Sequence, residues 1–126
     1  MLNYTINKQL KNLEIVAVNT VTVDQIIEHY LSISRDTSLP RNLHTLIDCT
    51  NGKLQINLKN NENEKARIAL NKAMNAFDSI REAVIVDKPH ETFVATLFRE
   101  FNHDIKNHGF EIFCTPEAAL KWLRLN

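Results

Sequence analysis

An α/β layer fold, built on one mixed but mostly parallel sheet with four helices, follows from three features of this 126-residue chain. Two β-prone runs come first, separated by a short polar turn. Helix-like and strand-like stretches then alternate to the C-terminus. The last strand, Phe110-Glu111-Ile112-Phe113-Cys114, runs directly into a capped helix that carries Trp122. Alternation of this kind places helices on a parallel sheet, and the length suits one domain over 1–126.

The runs Tyr4 to Leu10 and Leu13 to Val18 flank Lys11-Asn12, the pattern of a β-hairpin. The second run is nearly all apolar, which predicts a central strand covered on both faces. Thr22-Val23-Asp24-Gln25 fits a capping box, and Val23, Ile26, Ile27, Tyr30 and Leu31 follow at helical spacing. Pro40 ends that segment, and 38–42 reads as a loop. His44 to Cys49 is the next strand, with Asn51-Gly52 as a turn behind it. From Thr50 to Asn61 the pattern is least regular, with Leu54, Ile56 and Leu58 alternating among polar residues.

A second helix is predicted from Ala66, Ala69, Leu70, Ala73, Phe77 and Ile80, its alanines allowing close approach to the sheet. Glu62 and Glu64 suit its N-terminal dipole. Ala83 to Val86 is a short buried strand ending at Asp87. A third helix carries Val94, Leu97, Phe98, Phe101 and Ile105, and Asn107-His108-Gly109 closes it with Gly109 in the left-handed position. Thr115-Pro116-Glu117 then opens the final helix with an N-cap and a first-turn proline. The expected order is ββαβαβαβα.

Composition argues against several functions. Fifteen Lys and Arg balance fifteen Asp and Glu, so no overall charge draws the chain to nucleic acid or an anionic membrane. No apolar run reaches the roughly 20 residues of a membrane span. Residues 1–5 lack the basic head and apolar stretch of a secretory signal, so a cytoplasmic location is expected. Gly52 and Gly109 are the only glycines, too few for a phosphate-cradling or dinucleotide loop.

The candidate chemical groups are sparse. Cys49 and Cys114 form no C-x-x-C motif. They read as free thiols buried like small hydrophobes, with a disulfide or a reactive thiol as the other readings. His29, His44, His90, His103 and His108 show no metal-ligand spacing, so no metal or cofactor is expected. His103 and His108 suit a helix C-terminus. Asp48 and Asp87 end predicted parallel strands, on the edge where open α/β sheets bind ligands; the plainer reading is that each caps the turn that follows. An acidic pair of the receiver-domain kind is missing after the first strand, at Val18-Asn19-Thr20. No nucleophile is paired with a base, so no catalytic residue is expected. Phe93, Phe98, Phe101, Phe110, Phe113 and Trp122 read as core.

Three stretches resemble the STAS domain, the fold of bacterial anti-sigma-factor antagonists, and in particular its SpoIIAA-like branch. Asn19-Thr20-Val21-Thr22-Val23-Asp24-Gln25 stands where that family turns from its second strand into its first helix. Leu46-Ile47-Asp48 resembles the strand that ends in an acidic residue before the functional loop. Phe110-Glu111-Ile112-Phe113, with Pro116-Glu117-Ala118-Ala119-Leu120-Lys121-Trp122-Leu123, resembles the closing strand and helix. The resemblance implies a non-enzymatic signalling module that docks a protein partner or dimerises. The phosphorylated Asp-Ser pair of the well-known antagonists has no counterpart in Gln55-Ile56-Asn57-Leu58, so the usual phospho-switch is not expected; Thr50 is the nearest hydroxyl. The expected partner surface comprises Asp48, Thr50, Asn51, Asn57, Asn60 and Asn61, whose amides and carboxylate offer directional hydrogen bonds. SpoIIAA-like sequences are also similar in topology to the lipid-carrying Sec14 type. A small apolar ligand or lipid beside the third helix is therefore the alternative. Pairing through the sheet edge of the hairpin is the expected route to a homodimer.

Overall fold

The computed structural model describes residues 1–7, 11–56 and 61–124. Its main sheet has five strands: β1 (Leu2–Asn7), β2 (Asn12–Ala17), β4 (Asn42–Asp48), β6 (Ser79–Ile85) and β7 (His108–Phe113), in the spatial order β1-β2-β4-β6-β7. β1 runs antiparallel to β2, and the remaining pairs are parallel. Two short strands, β3 (Asn19–Thr22) and β5 (Gly52–Gln55), pair in parallel as a separate small sheet. The helices are α1 (Val23–Arg35), α2 (Glu62–Met74), α3 (Pro89–Phe101) and α4 (Pro116–Arg124). The mixed, mostly parallel α/β architecture with an N-terminal hairpin and four helices is as expected. The small sheet is an addition to it.

Strand order fixes the layers. From β2 through β4 and β6 to β7 the chain advances in one direction across the sheet. Right-handed crossovers then put every connecting helix on the same face. α1, α2 and α3 accordingly share one face, where Tyr30, Leu70 and Ile33 pack on Ile15, Leu43 and Ile80, and Val94 packs on Ala17 and Val84. α4 follows the last strand and folds over the opposite face, burying Ala119 and Leu123 on Leu46, Ala83 and Ile85. α2 carries Ala66, Ala69 and Ala73 on its buried stripe, as expected, and these small side chains let it lie against α1. No helix among the described residues is long and apolar enough to cross a membrane.

The capping box that opens α1 is formed: Gln25 N–H donates to Thr22 Oγ1 (3.4 Å), and Thr22 N–H donates to Gln25 Oε1 (3.1 Å). Other local expectations are corrected. β2 is covered on one face only, because α4 reaches β4, β6 and β7 and leaves Val16 41% exposed. α2 stops at Met74, so Phe77 lies beyond it and Ile80 belongs to β6, which starts at Ser79 rather than Ala83. α3 ends at Phe101, and the left-handed residue before β7 is Asn107 (φ 64°), since no glycine has positive φ. His108 and Gly109 are strand residues. Phe93 and Phe101 are exposed rather than core, and Cys114 is exposed while Cys49 is buried, both as free thiols. The Leu10 end of the first run lies outside the described residues; Lys11 takes a left-handed backbone beside the Asn7–Asn12 pair.

Gly52 is required by proximity, not by backbone conformation. A Cβ there would meet the Ala17 Cβ at 2.8 Å, with no flexible side-chain end to give way. This contact seats the small sheet against the end of β2. Gly52→Ala is expected to destabilise the protein by about 1–3 kcal/mol, the usual cost of overpacking, read as a lower midpoint in urea denaturation.

Candidate functional site

The rim beyond the C-terminal ends of the parallel strands was the expected surface, and the structure shows how it is held. Asp48 ends β4 and turns its carboxylate onto the loop: Thr50 N–H (2.9 Å) and Thr50 Oγ1 (2.7 Å) both donate to Asp48 Oδ1. Asp48 therefore caps the turn that follows it. Lys88 donates from Nζ to the Thr50 carbonyl and lies 3.4 Å from Asp87 Oδ1. The first turn of α3 braces β5 on the side away from β3. Leu54 N–H donates to the buried Glu91 Oε2 (3.2 Å), and His90 Nε2 lies 3.1 Å from the Leu54 carbonyl. Two side chains thus do for Leu54 what a neighbouring strand would otherwise do.

An open groove of about 570 Å³ runs along this rim, with Thr50, Asn51, Lys53 and Gln55 on one wall and Lys88 and His90 on the other. Of the expected surface, Thr50 and Asn51 line the groove, and Asp48 holds the turn that carries them without lining it. Asn61 instead opens α2 with a left-handed backbone (φ 69°), and no side-chain cap bond. Asn57 and Asn60 lie outside the described residues.

A second constellation lies inside the fold. Glu82, on the interior strand β6, is fully buried beneath the helices. Tyr30 of α1 donates its hydroxyl to Glu82 Oε2 (3.0 Å), with Oε1 at 3.3 Å. His108 of β7 places Nε2 2.7 Å from Glu82 Oε2. His29 of α1 places Nε2 3.9 Å from Oε1, and its Nδ1 lies 3.2 Å from the Tyr4 hydroxyl. Burial by itself pushes the Glu82 carboxyl up. The hydrogen bond with His108 and the nearby His29 ring outweigh it and hold the group down at about 2. The same carboxylate, with burial first, drives the Tyr30 phenol well above its ordinary range. Burial also pushes the Cys49 thiol up to about 12, with Asp48 and Glu91 adding to the effect, so it is an inert thiol.

Next to this cluster, between the sheet and α1, α2 and α3, lies a partly open cavity of about 90 Å³. Its walls are chiefly apolar, including Ile15, Ile47, Val84, Val94 and Phe110, and His29, Tyr30 and Glu82 also line it. Among the described residues no group of three or more His, Cys, Asp or Glu side chains is placed to hold a metal ion.

No motif singles out His29, Glu82 or His108. A signal for them exists nonetheless. Ile80, Glu82 and Val84 alternate on one strand face, so Glu82 is a charge at a core position. His29 shares a helical stripe with Ile26, Tyr30 and Ile33. A strand taken to start at Ala83 hides the first, and a histidine assigned to a helix end hides His108.

No protein-family model and no curated protein matches the chain. A solved structure does. It is an uncharacterised DUF3478-family protein with a SpoIIAA-like fold from Shewanella loihica PV-4, similar at a TM-score of 0.59 and 19% identity over 98% of this chain and 92% of that one. The chain has the SpoIIAA-like fold.

Removing the carboxylate strands its partners in the core. Glu82→Leu is expected to cost roughly 3–5 kcal/mol in urea denaturation, the cost of breaking one side of a buried ion pair. Acid tests the same group differently. Its pKa is lower in the folded chain than the ordinary 4.5, so its stabilisation is complete above that value and drains away as pH falls towards about 2. Denaturation curves across that window should show the loss in the wild type and a shallower one in Glu82→Leu.

Proposed function

We propose that this chain is a non-enzymatic regulatory module that works by binding a protein partner, with the C-terminal rim as its docking surface. The observation that carries the reading is the bracing of β5. Glu91 and His90 hold Leu54 from one side, and β3 holds the strand from the other. Asn51, Lys53 and Gln55 therefore stand exposed on backbone that is already fixed. A surface ordered before binding loses little freedom when a partner arrives. The Asp48–Thr50 turn extends the fixed surface, and its hydroxyl is occupied by an internal hydrogen bond rather than activated against a substrate. The SpoIIAA-like fold supports a regulatory role by resemblance.

A second reading is favoured by the interior cavity: a small, mostly apolar ligand held between the sheet and α1, α2 and α3. At about 90 Å³ the cavity takes a small molecule and not a long acyl chain.

The docking reading is tested by affinity capture from the native cells with the wild type and an Asn51→Ala, Lys53→Glu double variant. The variant should lose the partner that the wild type retains, while its unfolding free energy stays within about 0.5 kcal/mol, as for surface changes elsewhere. Equal recovery of the same partner by both proteins would move the docking surface off this rim.

A further inference from the structure

We infer that the interior cavity is a binding site for a short-chain alcohol, with the ligand's hydroxyl seated between His29 and Glu82. This rests on the cavity reading above and names the ligand's chemistry. Three observations meet at one point. His29 is 4% exposed, lines the cavity, and its Nε2 has no hydrogen-bond partner among the described residues. Glu82 lines the same wall, and its Oε1 lies 3.9 Å from that nitrogen. The rest of the wall is dominated by aliphatic and aromatic side chains.

The gap sets the ligand's polar end. A separation of 3.9 Å is too long for a direct hydrogen bond. It suits a single oxygen placed about 2.8 Å from each atom. In the tautomer in which the Tyr4 hydroxyl, 3.2 Å away, donates to His29 Nδ1, the ring hydrogen lies on Nε2. The carboxylate can only accept. In that tautomer the bridging oxygen accepts from His29 and donates to Glu82, which a hydroxyl does and an ether, a carbonyl or a halide does not. The cavity sets the apolar end. At about 90 Å³ the cavity is smaller than the roughly 150 Å³ apolar cavity that holds benzene, which suits the bulk of a propyl or isopropyl group. Apolar walls favour carbon there over water.

The test is titration of the full-length chain, labelled with ¹⁵N, with 2-propanol and with 2-chloropropane, which has the same shape and no O–H donor. 2-Propanol should bind about tenfold more tightly, the value of one net hydrogen bond, and should shift the His29 ring nitrogen resonances. Ala95→Leu, which adds bulk to the cavity wall, should abolish both titrations while leaving the fold intact. His29→Leu should level the two affinities. If that variant does not fold, the wild-type comparison decides alone. Equal affinity for the alcohol and the chloride would overturn the hydroxyl assignment and leave an apolar cavity site standing. Saturable binding of neither would overturn the cavity reading itself.

Discussion

A carboxylate buried on an interior strand is tolerable only if the surrounding elements bring it donors. Glu82 receives Tyr30 from α1 and His108 from β7, and His29 from α1 faces it. Each donor comes from a different point in the chain, so the charge is satisfied only when α1, β6 and β7 are docked together. The arrangement therefore acts as a registry device. A slipped β7 would carry His108 to the opposite face, and a rotated α1 would withdraw both Tyr30 and His29. Apolar packing between Ile15, Leu43, Leu70 and Ile80 supplies attraction without this selectivity.

The uneven layering has a related cause. A strand order that advances in one direction commits three crossover helices to one face and leaves the other to a nine-residue helix. The helix-rich side is deep enough to hold both the charged cluster and the cavity beside it. The thin side is held by Ala119 and Leu123, with Arg81 stacked over Trp122 at 4.1 Å and donating to the Trp122 carbonyl. The hairpin end of that face is open, which explains the exposed Val16 in a run that reads as doubly buried.

Much of the architecture was legible because it is written in local patterns. The Thr22–Gln25 box, the Thr115-Pro116 start of α4 and the alanine stripe of α2 each encode their element in a few neighbouring residues. What escaped depends on contacts distant in sequence. Gly52 looks like a turn residue, and only Ala17 shows it to be a spacing residue. The β3–β5 sheet consists of two four-residue strands that neither period nor length distinguishes from loop. For the site, Asp48, Thr50 and Asn51 could be placed on the rim from the strand that precedes them. The roles of His90 and Glu91 could not, because their partner, Leu54, is more than thirty residues away. Glu82 and His108 were obscured by misplaced element ends: one lay just before a strand drawn too short, the other inside a helix drawn too long.

Trp122 is the chain's single tryptophan, and it sits on the thin face beneath a guanidinium. Its ring packs against Phe113 and closes over Gly109. Intrinsic fluorescence is therefore a one-sided witness, tuned to the peeling of α4 from β6 and β7. Events around the opposite face reach that fluorophore only through the strands themselves, so an optical signal and a probe on α1 would report two different halves of the same molecule.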